Sequence, residues 1–83
     1  MRSSRMATVN RGDGEGPTDM RVRATDSSAA SNFVGCPVDD GELVEILGEA
    51  RTESKVRLFH VRYGILTGYM KACYVHESTM PIE

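Results

Sequence analysis

The sequence predicts a small all-β domain, and three observations carry that reading. Between residues 20 and 76, β-branched and aromatic residues fall in short runs separated by Gly, Pro, Asp and Ser, the strand-and-turn pattern of a sheet fold. Several of these runs alternate apolar and polar residues, as a strand with one buried face requires. No heptad, internal repeat or amphipathic helical stripe competes with them. A chain of 83 residues has room for one domain with a marginal core. Five or six short strands in so small a unit cannot build an ordinary two-sheet sandwich. A strongly bent barrel is the economical solution.

The elements follow in chain order. Residues 1–19 are poor in large apolar residues and carry Gly12, Gly14, Gly16 and Pro17. Ordering such backbone costs roughly 1–2 kcal/mol per residue with little burial to offset it, so the segment reads as a tail. Its apolar stretch 6–9 would add an edge strand at most. Residues 20–24 read as the first strand, with Met20, Val22 and Ala24 alternating with two arginines. A polar stretch follows to Asn32. Asp39-Asp40-Gly41 is a turn signal, because Asp tolerates the left-handed region and Gly enters it freely.

The strand at 43–47 puts Val44 and Ile46 on one face and Leu43, Glu45 and Leu47 on the other. Residues 48–54 read as a polar connection. The longest strand is 55–63, ended by Gly64. Another spans 65–70, where Gly68 marks a bulge or a close backbone approach. Residues 71–73 make a short connection to a last strand at Tyr74-Val75, and the end from 77 to 83 reads as a second tail. The expected core is Ala24, Val38, Val44, Ile46, Leu58, Val61 and Val75.

Composition narrows the function classes. Hydrophobic residues at 40% and charged residues at 27% are ordinary for a soluble chain. No apolar run approaches the ~18 residues of a membrane span, and no signal-type apolar block follows the first charges. A net charge of −2 argues against nucleic acid or an anionic membrane as the main partner. Two cysteines are too few for a disulfide scaffold, and neither the Cys nor the His residues have metal-ligand spacing. No Ser/His/Asp or Cys/His arrangement points to catalysis, and no cofactor is implied. Arg11-Gly12-Asp13 is the tripeptide read by integrins, but nothing else in the sequence accompanies it.

Two stretches carry a family resemblance. Thr67-Gly68-Tyr69-Met70-Lys71-Ala72-Cys73-Tyr74-Val75 resembles the C-terminal signature of Src homology 3 (SH3) domains, commonly TGY-apolar-PSNYV. Val38-Asp39-Asp40-Gly41-Glu42-Leu43-Val44-Glu45-Ile46-Leu47 is similar to the family's diverging turn and the strand after it. Ala24 stands where the family's ALYDY motif begins, and the resemblance spans residues 22–75. It implies an SH3-like barrel of five to six short antiparallel strands with one 3-10 turn, at 71–73. It also implies an RT loop at 25–37, an n-Src loop at 48–55 and a distal turn within 62–66. Cys36 would lie in the core and Cys73 on the 3-10 turn. That favours free thiols and a reducing, cytoplasmic compartment.

The resemblance also places a ligand groove. Tyr69 and Tyr74 match groove positions, with Val56, Lys71 and Cys73 around them and Asp26 and Glu53 on the flanking loops. The family binds Pro-rich helices between aromatic rings. This chain departs from that pattern. Residues 24–28 contain no aromatic residue, the Trp position falls near Val56, and Lys71 replaces the signature proline. Losing the Trp contact costs roughly 1–3 kcal/mol by burial. The expected function is therefore a non-catalytic protein-interaction module that does not read standard PxxP peptides. Its partner would be a protein or peptide, neither nucleic acid nor membrane, and the chain would be a monomer or part of a larger protein. Acidic loop residues would draw a basic ligand. Bacterial SH3-like modules share the C-terminal pattern, which leaves a cell-wall or extracellular ligand as the alternative, beside a structural domain with a decayed groove.

Overall fold

Five strands form one antiparallel sheet: β1 (Arg5–Val9), β2 (Leu43–Arg51), β3 (Arg57–Tyr63), β4 (Leu66–Lys71) and β5 (Val75–Glu77). The computed structural model describes residues 5–12, 14 and 17–77. The sheet order is β4-β3-β2-β1-β5, and the all-β class expected from the sequence holds. Two 3-10 turns, Ala30–Asn32 and Ala72–Tyr74, are the only helical pieces among the described residues. The second is the expected one, shifted by one residue. The first sits in the long polar connection.

The main correction concerns β1. Arg5–Val9 lies within the segment read as a tail, yet it is an interior strand. It pairs with β2 on one side and with β5 on the other. Ala7 and Val9 are fully buried. A run this short gives almost no periodic signal of its own. Its stability comes from two neighbours that together satisfy its backbone donors and acceptors. A bidentate ion pair from Arg5 to Glu77, at 2.8 and 2.9 Å, ties the open end of β1 to β5. The expected tail at 77–83 thus begins inside β5, and its remainder lies outside the described residues.

Residues 20–24, expected to be the first strand, form only isolated bridges. Arg21 bridges both Phe33 and Tyr69. Met20 is fully buried, but Val22 is 47% exposed and Ala24 only half-buried. The alternation there marks one residue inserted into the core, and Ala24 is not part of it. The other boundaries move less. A register shift between Ile46 and Gly48 lets β2 continue to Arg51, through residues read as a polar loop. Glu49 is polar because it faces outward, where it pairs with Arg57 at 3.2 and 3.0 Å. Glu45 and Arg62, directly opposite each other, form a second cross-strand ion pair. The connection from β2 to β3 is therefore only 52–56, with Lys55 in the left-handed region at φ 69°.

The core gathers Ala7, Val9, Met20, Val38, Val44, Ile46, Phe59, Val61, Met70 and Val75. Leu58 is also fully buried but stands outside that cluster, so β3 is covered on both faces at 58–59. Of the two readings of Gly68, close approach is the one observed. The β3–β4 ladder runs past it without a shift, pairing it with Val61. A Cβ at this position would lie 2.7 Å from the Met20 Cβ and 2.9 Å from the Arg21 carbonyl oxygen. Neither neighbour is the free end of a flexible chain.

Two outcomes test this account. G68A should destabilise the fold by about 1–3 kcal/mol, the usual cost of overpacking, measured by urea unfolding; an unchanged midpoint would mean that 20–21 does not cross β4 there. Removing residues 1–9 should abolish the cooperative thermal transition, because β2 and β5 would each lose a partner. A truncated chain that melts like the intact one would show β1 to be dispensable.

Candidate ligand groove

The groove forms where residues 17–21 cross the outer edge of β4. Arg21 and Tyr69 exchange backbone hydrogen bonds of 2.7 and 2.8 Å, with each N–H donating to the other's carbonyl. On the opposite side the same segment is held by residues 32–34: Val22 N–H donates to Asn32 O at 2.8 Å and Val34 N–H to Met20 O at 2.9 Å. The Tyr74 carbonyl accepts from Asn10 N–H at 2.8 Å, which fixes the second 3-10 turn against the end of β1. These contacts enclose a cleft of about 280 Å³ lined by ten residues, among them Thr18, Arg21, Phe33, Tyr69, Lys71 and Tyr74.

Its aromatic rings are already engaged. Tyr69 stacks on His60, its cross-strand neighbour, with centroids 4.7 Å apart and planes 18° from parallel. The Arg21 guanidinium lies 5.2 Å from the Phe33 ring centre. Arg11 and the Lys71 ammonium lie 5.2 and 5.9 Å from the centre of the Tyr74 ring. Each is within the range of a cation–π contact. Arg21 also donates through Nη1 to the carbonyls of Thr25 and Ser27, at 3.2 and 2.7 Å. These acceptors are neutral carbonyls, so they set no negative charge beside the guanidinium.

Of the residues singled out in the sequence, the structure brings Tyr69, Lys71 and Tyr74 into this groove. It places the others elsewhere. Cys73 is exposed on the 3-10 turn, and Cys36 and Cys73 are both free thiols. Val56 lies in the β2–β3 loop, where its N–H donates to Thr52 Oγ1 at 3.1 Å. Asp26 is spent on that same loop. Its carboxylate accepts from the Ser54 N–H at 3.0 Å and the Ser54 hydroxyl at 2.8 Å. Glu53 reciprocates by accepting from Asp26 N–H at 2.9 Å. Glu53 lines a separate polar hollow of about 370 Å³ with Val22, Arg23, Thr25, Ser27, Ser31 and Asn32.

Asn32 organises that second region. Only 7% exposed, it accepts from Arg23 N–H at 3.0 Å and donates to Thr25 Oγ1 and Ser27 O at 3.2 and 3.1 Å. Sequence reading missed Arg21, Phe33, Thr18 and Arg11 as groove residues. No local signal marks them: the non-local Arg21–Tyr69 bridge brings Thr18, Arg21 and Phe33 to the groove, and the Asn10–Tyr74 hydrogen bond brings Arg11 there. Of the integrin-type tripeptide, Asp13 lies outside the described residues.

No group of three or more His, Cys, Asp or Glu residues that could hold a metal ion occurs among the described residues. None of their helices is long and apolar enough to cross a membrane. No family model, curated protein or solved structure matches the chain.

The Asp26 latch makes a pH prediction. Hydrogen bonds from the Thr52 and Ser54 side chains hold the carboxyl below its ordinary range. A lowered folded pKa means that the stabilisation is complete above the unfolded value of about 3.9 and is lost as pH falls through the lower folded value. The Ser54 amide resonance should therefore stay in its latched position through the ordinary Asp range and move only below it. A midpoint at or above the ordinary value would show that the latch does not form.

Proposed function

We propose that this chain is a non-catalytic protein-interaction module of SH3-like type. Its ligand binds in the groove between Tyr69, Tyr74 and the 17–21 segment. One observation carries the reading: a cleft with three aromatic rings at the sheet edge, built from the two tyrosines that the signature resemblance singles out. Rigid aromatic anchors beside a few polar groups are the usual makings of a recognition surface. The 3-10 turn just before the last strand supports the SH3-like assignment.

The ligand is not a standard PxxP helix. Such a peptide needs open ring faces on which proline rings can stack. Here Tyr69 is stacked on His60, and cations lie over Phe33 and Tyr74. A proline would have to displace these partners as well as do without the missing Trp.

Random-peptide display against the folded chain tests this reading. Selected peptides should lack PxxP spacing, and Y74A should weaken their binding at least tenfold. Enrichment of PxxP sequences would refute the atypical specificity. Ligands indifferent to both Y74A and K71E would remove the groove as the binding site.

A further inference from the structure

We infer that the groove's ligand is an extended acidic peptide segment of a protein partner, with its carboxylates set between Lys71 and Arg21. This deepens the proposed function and rests on the groove being the ligand site. The argument is charge complementarity. Among the described lining residues, Arg11, Arg21 and Lys71 are cationic, and Asp19 is the single carboxylate. Asp19 is partly occupied, since its Oδ1 accepts the Gly35 N–H at 3.0 Å.

Neither Arg21 nor Lys71 has a carboxylate partner among the described residues, whereas Arg5, Arg57 and Arg62 on the sheet are each paired with a glutamate. Arg21 is bound to carbonyls through Nη1, and Lys71 rests over the Tyr74 ring. The acids that a basic ligand would need, Asp26 and Glu53, are bonded to each other's loop and do not line this groove.

Thr18 lines the groove at 5% exposure, so its amide reports on what occupies it. An acidic side chain supplies acceptors only, and so matches the Arg21 guanidinium and the Lys71 ammonium, which only donate.

The test is a ¹⁵N NMR titration of the full chain with capped oligo-glutamate, with oligo-lysine, proline-rich and oligothymidylate probes in parallel. Oligo-glutamate should shift the amides of Thr18, Arg21, Lys71 and Tyr74, and oligo-lysine should not. K71E should weaken binding about tenfold, as expected for reversing one charge near the surface. K71Q should weaken it less. Lys71 suits this test because its side chain makes no hydrogen bond that the fold needs, and the spectrum of each variant reports its folding. Raising ionic strength from about 0.1 M to about 1 M, which shortens the screening length from ~10 to ~3 Å, should weaken binding further.

Silence from oligo-glutamate, equal shifts from oligo-lysine, or shifts spread over the whole surface would overturn the inference. Oligothymidylate binding at the same amides as tightly as oligo-glutamate would also overturn it, and would give the groove to nucleic acid. Proline-rich or display-selected neutral peptides shifting these amides while oligo-glutamate does not would overturn the acidic ligand and leave the interaction-module reading standing.

Discussion

Arg21 and Tyr69 exchange two backbone hydrogen bonds at the edge of β4, and the chain can make that crossing only because residue 68 has no Cβ. Much of the molecule follows from this contact. It seats Met20 in the core beside Met70 and Val61. It gives the 20–22 segment a second side on which residues 32–34 pair. It also carries the Arg21 guanidinium over Phe33, so that one backbone bridge both closes the edge of the sheet and builds one wall of the groove. An edge strand left open presents unpaired donors and acceptors; here a non-strand segment covers part of it.

The distribution of charge is the second organising feature. The chain is slightly acidic overall, yet three of the four charged residues described along its groove are cations. Glu45, Glu49 and Glu77 are used in cross-strand ion pairs on the sheet's outer surface, and Asp26 and Glu53 join two loops. Each such exposed pair adds little stability. Their combined effect is on the local field, since acids consumed elsewhere do not neutralise Arg21 and Lys71 at the groove. Net charge bounds the partners of the molecule as a whole, but a docking surface responds to the charges within a screening length of it.

The sequence was a good guide wherever a run of residues carries its own periodicity. Val44, Ile46 and Val61 lie in the core where alternation puts them, and the turn at Gly64 ends β3 as the glycine suggests. Gly68 stands out in the sequence as either a bulge or a close approach, and only the fold shows that Met20 and Arg21 approach it. Tyr69, Lys71 and Tyr74 were within reach because a signature motif keeps them together in the chain. Asp26 was placed beside the groove by resemblance, and the structure puts its carboxylate on Ser54 instead. That difference follows from the length and path of the 25–37 connection, which no residue type encodes locally.

By itself, then, the sequence determined the all-β class, the turns, the faces of the long strands and the residues of the last signature. Those properties depend on neighbours one to four positions apart, where sterics and period-two burial act. Only the tertiary structure decided that Arg5–Val9 is an interior strand, that 20–24 is a crossing segment, and that the groove is lined by cations. Each of these depends on partners distant in the chain: β2 and β5 around β1, Tyr69 beside Arg21, and Ser54 on Asp26. A short segment with weak local preference takes the conformation in which its backbone groups and charges find those partners, and their positions exist only once the sheet has formed.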